Sequence, residues 1–456
     1  MIEKYRAPLA FLVMALMLVI VGFGQSWSVA LGIINLCIIS AIMALGVNLQ
    51  WGYAGLFNAG VMGFTALGGL TAVLISHQPI YEAWSSAGSG ILLSGFILVS
   101  AVLGIYFAHK KIEKIWPRRI LIITIIGLML FGLNIFYGPS VSIIESINPA
   151  KTGFLGGLGL PIIMSWLVAA FVAGFVAWII GKITLGLRSD YLAIATLGIS
   201  EIVIAILKHE DWLSRGVKNV TGLDRPVPYE IELQESGWFI DLVASINASK
   251  LQAIQILSER QDILNKLVID GSSIFVKLCY AGLFLSVLLV IYFLSYLALQ
   301  SPWGRMLRAI RDNENAASAM GKNIVAQHLQ IFVIGSAVIG IAGAMLTTLD
   351  GQFTPGSYQP LRFTFIIWVM VIVGGSGNNF GAILGGFAVW FLWIEAAPIA
   401  LFLINLFTAG LAETNALKLH LINSVPYFRF LMMGTGLLLI MRYRPKGILP
   451  EKIIKN

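Results

Sequence analysis

Long apolar runs, each closed by glycine, proline or charge, follow one another along almost the whole chain. A helix that crosses a bilayer core needs about 20 such residues. Runs of that kind cover residues 9–24, 29–49, 53–76, 91–108, 120–137, 160–181, 191–207, 274–299, 329–349 and 427–441. Residues 363–394 are long enough for two passes, but Gly374-Gly375-Ser376-Gly377-Asn378-Asn379 interrupts them. Backbone that leaves helix at membrane depth must be covered by protein or line a water-filled cavity. The pattern therefore predicts two short or half-length segments meeting at a cytoplasmic-side turn. The expected fold is all-α, a polytopic membrane helical bundle of about twelve crossings (ten to twelve) with broken or half-length helices. The first run follows Lys4 and Arg6, and Gln25-Ser26-Trp27 lacks a small-residue cleavage pattern, so it reads as an uncleaved first helix.

The pattern changes between residues 208 and 273. A polar stretch punctuated by Gly216, Gly222 and Pro226 precedes an amphipathic run. There Leu251, Ile254, Leu257, Leu264, Leu267 and Val268 recur near helical spacing, opposite Gln255, Glu259, Asp262 and Lys266. One or two external helices lying on the bundle are expected. The chain reads as a single membrane domain over 1–456. Within it, 77–158 is an inserted helical hairpin and loop, 208–273 an external loop, 300–323 a cytoplasmic helix and 442–456 a cytoplasmic tail.

Composition narrows the class further. Hydrophobic residues make up 58% of the chain and charged ones 11%, against about 25% charged in soluble domains. That excludes a disordered chain, a disulfide scaffold and an ordinary soluble enzyme. The net charge of +8 is gathered between apolar runs. Lys110, Lys111, Lys114, Arg118, Arg119, Lys182, Arg188, Arg305, Arg308, Arg311 and Lys322 fall on one side, with Arg442, Arg444, Lys446, Lys452 and Lys455. On the other side, 77–90 has no Lys or Arg and 138–159 has only Lys151. The positive-inside rule then places both termini in the cytoplasm, and the charge serves orientation and anionic lipid rather than nucleic acid. Cys37 and Cys279 lie in separate apolar runs, and His77, His109, His209, His328 and His420 are scattered, so neither a disulfide nor a metal site is expected.

Four places carry candidate chemistry. In the segment from Ser301 to Gly321, Pro302 suits a first helical turn, Arg305, Arg308 and Arg311 share a face, and Gly321 suits a helix end. On pattern alone this is a short basic helix, which can equally rest on anionic headgroups. Gly52-Tyr53-Ala54-Gly55 and Asn58 stand where the third run begins, and permit either a helix break that presents N–H groups to an anion or close helix packing. Asn48 and Asn58 are costly to bury and are expected to face a cavity or each other. Glu201, near the middle of its run, is a functional carboxylate or a structural partner for Thr196 or a neighbouring helix. Gly374, Gly375 and Gly377 form a broken-helix site or a tight turn.

Asn315-Ala316-Ala317-x-x-x-Gly321 resembles the EAA-type pattern of ABC importer permeases, with Asn for the first Glu. The string Ser301 to Gly321 resembles the branched-chain amino-acid permease family, LivM-like branch. So do Asn48-x-x-Trp51-Gly52-Tyr53-Ala54-Gly55-Leu56-x-Asn58-x-Gly60, the stretch Leu187 to Glu201, Gly374-Gly375-x-Gly377-x-x-x-Gly381, and Arg444-Pro445-Lys446-Gly447-Ile448-Leu449. These motifs run in family order over most of the chain. Residues 76–155 and the external segment after Pro226 depart from the family pattern.

The resemblance implies a permease subunit of an ABC importer in a bacterial-type inner membrane. It makes the basic helix a coupling helix gripped by a cytoplasmic ATPase, with Arg305, Arg308 and Arg311 facing acidic groups and Glu314, Ala316, Ala317 and Gly321 in the same docking segment. Asn48, Gly52, Tyr53, Asn58, Thr196, Glu201, Gly374, Gly375 and Gly377 would lie on the translocation path. Gly181-Lys182 and Gly321-Lys322 lack the upstream glycine of a phosphate loop. ATP and Mg are therefore expected on the partner ATPase, with no cofactor, metal or catalytic residue in this chain. The implied partners are a second homologous permease chain, two ATPase subunits, an external solute-binding protein and the lipid bilayer. The implied substrates are branched-chain amino acids or related small amino acids, amides or urea. An ion-coupled secondary transporter is the rival reading, but Glu201, Asp350 and Glu395 are few and unclustered in sequence. A membrane-embedded enzyme would need paired carboxylates or a Ser/His arrangement that the sequence does not offer at one depth.

Overall fold

A computed structural model describes residues 2–148, 152–187, 189–253, 256–412 and 415–451. Lys151, Arg188, Ile254, Gln255, Lys452 and Lys455, named above, lie outside these residues. Among the described residues, ten helices are long and apolar enough to cross a membrane, and shorter apolar helices accompany them.

The first helix, α1 (Ile2–Gly24), is followed by α2 (Trp27–Val47), which begins where the Ser26 hydroxyl accepts a hydrogen bond from Val29 N at 3.1 Å. α2 continues through one π-helical turn, Asn48–Gly52. The chain then leaves helix, with Gly55 at φ 74°, until α3 (Val61–Ser76). The third apolar helix thus begins at Val61 and not at Tyr53, because Gly52 to Ala54 finish α2 instead of opening the next helix. α4 (Ser89–Lys111) and α5 (Ile115–Ser146) form a hairpin, followed by α6 (Ile162–Thr184) and α7 (Ser189–His209).

After a segment of short helices comes α8 (Leu257–Gln300), one continuous helix of 44 residues. The amphipathic run 251–268, expected as one or two external helices apart from the span starting at 274, is thus from Leu257 onward part of that same helix. Asp270 and Gly271 interrupt the apolar pattern but not the backbone. α9 (Pro302–Asp312) and α10 (Glu314–Ala319) make an elbow that leads to α11 (Ile324–Asp350). The broken region comprises α12 (Pro360–Gly374) and α13 (Asn379–Phe407). Only α12, at 15 residues, is short; α13 has 29 and is not a half-length helix. The last long helix is α14 (Val425–Tyr443).

Two short strands, β1 (Val220–Thr221) and β2 (Gln352–Phe353), pair antiparallel with Val220 opposite Phe353. They mark one end of the bundle, the ribbon end; α9 and α10 mark the other, the elbow end. Between them α11 packs on α6, α3 and α2, and α2 packs in turn on α13 and α8. Ile39, Ile42, Leu45, Phe332, Ile339 and Met345 are fully buried there. α3 and α11 approach so closely that a Cβ on Gly68 would strike the Gly340 carbonyl and one on Gly343 the Thr65 carbonyl. Small residues at such crossings let helices gain packing energy where no hydrophobic force separates protein from lipid.

α4 and α5 pack chiefly on one another at the periphery, and the apolar stretch of α5 contributes nothing to the core. Their base is held by an antiparallel bridge between Pro79 and Gly156 and by a hydrogen bond from Leu155 N to Trp212 O of 3.0 Å. The Tyr137 hydroxyl also donates to the Glu210 carboxylate.

Candidate functional site

The elbow is built from its sequence in two pieces. Pro302 occupies the first turn of α9, and Gly304, Leu307 and Ile310 turn inward while Arg305 stays exposed. At Asn313 the backbone opens to φ −156°, ψ 95°, and the Asn313 carboxamide oxygen accepts from Ala316 N at 3.0 Å to cap α10. The expected single helix is therefore two, with Glu314 in the first turn of α10 and Ala317 the one buried residue there. Gly321, at φ 74°, ends the run in the left-handed conformation that glycine tolerates.

The three arginines do not behave alike. Arg305 donates to Gln300 O at 3.2 Å and Arg308 to Leu299 O at 3.3 Å, so both cover the end of α8. Arg311 turns into the protein. Its Nη1 donates to Gly52 O at 2.5 Å, its Nη2 lies 3.0 Å from Glu451 Oε2, and its Nε lies 3.0 Å from Asp312 Oδ1. Desolvation pulls the Arg311 pKa down, but the Glu451 and Asp312 carboxylates outweigh it and hold the guanidinium above the usual arginine value. Facing a partner's acidic groups, the role expected for Arg311, is thus taken over by acids of its own chain.

Gly52 belongs to a junction that gathers several of the sequence motifs. Asn48 Nδ2 donates to Asn379 Oδ1 at 3.1 Å, and Asn48 Oδ1 accepts from Gly377 N at 2.9 Å. A Cβ on Gly52 would collide with that same Asn48 oxygen and with Gly377 N. Gly375 (φ 119°) and Gly377 (φ 77°) make the turn between α12 and α13, and the Asn378 side chain caps α13. The tail lies against this turn: Ile448 N donates to Val373 O and Leu449 N to Gly374 O, each at 2.8 Å. The end of α2, the glycine turn, the tail and α9 form one polar joint at the elbow end. Beside it is a cavity of about 800 Å³ whose walls include Tyr53, Arg305, Arg308 and Glu451.

Asn58 does not pair with Asn48. Its Nδ2 donates to Gln50 Oε1 at 2.9 Å, while Gln50 Nε2 reaches Phe332 O at 2.9 Å and Ser336 Oγ at 3.1 Å. Asn58 O accepts from Trp368 Nε1 at 3.0 Å, and the Trp368 ring lies 4.1 Å from that of Phe57. Asn48, Gln50 and Asn58 are fully buried, and each is satisfied as buried polar groups must be. Thr196 is buried too and its hydroxyl accepts from Ala59 N at 3.1 Å, fixing the non-helical stretch to α7. Glu201 is not its partner; it is exposed and lines a groove nearer the ribbon end.

Gln50, Trp368, Asn379 and Glu451 were not singled out from the sequence. Gln50 was visible as an amide between Asn48 and Asn58 in an otherwise apolar run. Glu451 sits 140 residues from Arg311, and no local pattern links the two.

Comparison with known proteins gives the joint a context. Residues 150–404 match the family described as branched-chain amino acid transport system / permease component. The chain is 26% identical over 303 residues to the probable branched-chain amino acid transport permease protein LivM of Methanocaldococcus jannaschii, covering 65% of this chain and 71% of that protein. It is 25% and 26% identical over 333 residues to the high-affinity branched-chain amino acid transport system permease proteins LivM of Salmonella typhimurium and Escherichia coli, covering 72% of this chain. In those two the match spans 65% of the relative, just under two thirds of its length. No solved structure matches the chain with significance. With more than half of its residues inside the family match, and with apolar helices long enough to cross a membrane, the chain belongs to the permease-component family of branched-chain amino acid transport systems.

Proposed function

We propose that this chain is one membrane-spanning subunit of an ABC importer that moves branched-chain amino acids, or related small amino acids, amides or urea, into the cytoplasm by alternating access. ATP and Mg bind to two cytoplasmic ATPase subunits, a second homologous permease chain completes the pore, and an external solute-binding protein delivers substrate. The elbow end and both termini face the cytoplasm of a bacterial-type inner membrane, and the ribbon end faces outward.

One observation carries this reading. Arg311 ties the elbow to the last turn of α2 and to the tail that lies on the α12–α13 turn. An elbow clamped in this way moves with the helices behind it, so closure of a motor below becomes rocking of packed spans above. Arg305, Arg308, Glu314 and Ala316 remain on the open side to meet the motor. Tyr53 and the glycine turn border the inner mouth, and Asn48, Asn58 and Thr196 brace the break next to it.

The test is co-purification followed by vesicle uptake. Uptake of leucine, isoleucine or valine that requires ATP, the ATPase subunits and the binding protein is expected. Uptake by this chain alone, driven by an ion gradient, would replace this reading with the secondary transporter.

A further inference from the structure

Toward the ribbon end, α7, α12, α13 and α14 border a groove of about 750 Å³, within the size range of small-molecule sites. Phe365, Ile366, Val369, Met433 and Leu437 give it apolar walls, yet Glu201, Lys208 and Arg362 also line it. Among the described residues, none of these three charges forms an ion pair, although opposite signs share the groove. Charged groups left unpaired along membrane helices are expensive and mark a function.

Arg362 stands among aromatic rings. Its guanidinium lies 5.0 Å from the Trp393 ring centroid and 5.3 Å from that of Phe430, while Arg429 lies 5.2 Å from the same Trp393. Aromatic faces steady a cation without neutralising it. Among the described residues, the buried Nε atoms of Arg362 and Arg429 find no hydrogen-bond acceptor. Depth orders the charges: Lys208 and Arg362 stand near the helix ends at the mouth, and Glu201, seven residues before Lys208, sits about 10 Å deeper along α7.

The geometry points to this groove as a binding subsite for a free zwitterionic amino acid with an aliphatic side chain. The α-carboxylate meets Arg362 and Lys208 at the mouth, the ammonium group turns to Glu201 below, and the side chain lies on Phe365, Ile366 and Leu437. The inference rests on the transport reading above and assigns specificity to the permease itself, in addition to any binding protein. A phospholipid headgroup with a phosphate and an ammonium group offers the same two charges.

The test uses the full permease complex in nanodiscs of phosphatidylglycerol, a lipid without an ammonium group, and omits the binding protein. Saturable binding of radiolabelled L-leucine is expected. Unlabelled L-leucine should compete at least about tenfold better than 4-methylpentanoate, which lacks the ammonium group, or leucinamide, which lacks the carboxylate; that ratio corresponds to roughly 1.4 kcal/mol. Glu201→Gln should narrow the gap for 4-methylpentanoate, and Arg362→Gln the gap for leucinamide. In the unaltered protein a diazirine analogue of leucine should label peptides from α7, α12, α13 or α14, a readout independent of how the variants fold. Equal competition by all three compounds, or labelling confined to other helices, would overturn the subsite. So would leucine binding abolished by adding phosphatidylethanolamine, which would make the groove a lipid site. ATP-driven leucine uptake with an unchanged competition profile in both variants removes the subsite and leaves the transport reading intact. Saturable leucine binding at these helices without ATP-driven uptake by the complete complex supports the subsite and removes the transport reading alone.

Discussion

The guanidinium of Arg311 lies 3.0 Å from the carboxylate of Glu451, joining the elbow to a tail 140 residues further along the chain. Both side chains are about three-quarters covered, so the contact is sheltered from the screening that weakens surface pairs. Replacing Arg311 by Ala removes it together with the bond to Gly52 O. ATP-driven uptake is expected to fall about tenfold or more, the effect of roughly 1.4 kcal/mol of lost coupling, while Glu451→Gln should fall less because the Gly52 bond remains. Uptake and ATPase rate measured side by side check this: coupling has failed where hydrolysis continues without transport.

The same contact has a pH signature. A group whose folded-state pKa is raised stabilises the fold fully below its unfolded value, and that contribution is lost only as pH rises through the folded value. For Arg311 this window lies in strong alkali, above the ordinary arginine range. Titration of Arg311 should therefore leave the thermal stability of the complex unchanged between pH 6 and 8, as melting curves in detergent would show.

Among the described residues, the hydrogen bonds of Arg305 and Arg308 go to the end of α8, which leaves their outer sides for a partner. Reversing both to Glu should abolish ATP-dependent uptake and ATPase co-purification while membrane insertion stays near normal. Full uptake by the double variant would end the docking proposal.

The Asn48 and Gly52 positions test the joint from the inside. Gly52→Ala forces a methyl group against Asn48 Oδ1 and Gly377 N, and Asn48→Leu leaves Gly377 N without its acceptor. Each should cost about 1–3 kcal/mol of stability, the usual penalty for crowding or orphaning a buried polar group. A drop in melting temperature for both is expected, larger than that for a substitution at exposed Leu98 on the hairpin.

The α4–α5 hairpin leaves and rejoins the bundle at nearly one point, since Pro79 and Gly156 are bridged. Excising residues 84–147 with a short Gly/Ser linker should preserve membrane insertion and most uptake, because two helices leave together and the topology of the rest is kept. Loss of all expression on excision would show that the hairpin is needed to assemble the bundle.

What the sequence made legible was whatever repeats locally. Apolar length located nearly every long helix, and Pro302 and Gly321 bounded the elbow. Patterning failed where tertiary partners decide the outcome. The amphipathic run up to Val268 and the apolar run from 274 read as separate elements, but α8, packed against α2, runs through both. Asn313 broke an apparently single helix because its side chain caps the next one. Arg311 shared a face with Arg305 and Arg308 in sequence, and only the distant Gly52 carbonyl and Glu451 turn it inward. Glu201 and Thr196 were grouped by proximity along α7, whereas burial separates them.

The 44 residues of α8 would extend about 66 Å as a straight helix, roughly twice the thickness of a hydrocarbon core. Such a mast cannot be contained in the bilayer, so on the orientation proposed above its first turns stand clear of the lipid as a stiff post. Whatever alights on that post from outside is joined by unbroken backbone to the floor where the elbow begins, and a tilt imposed at one extremity is felt at the other without a hinge to absorb it.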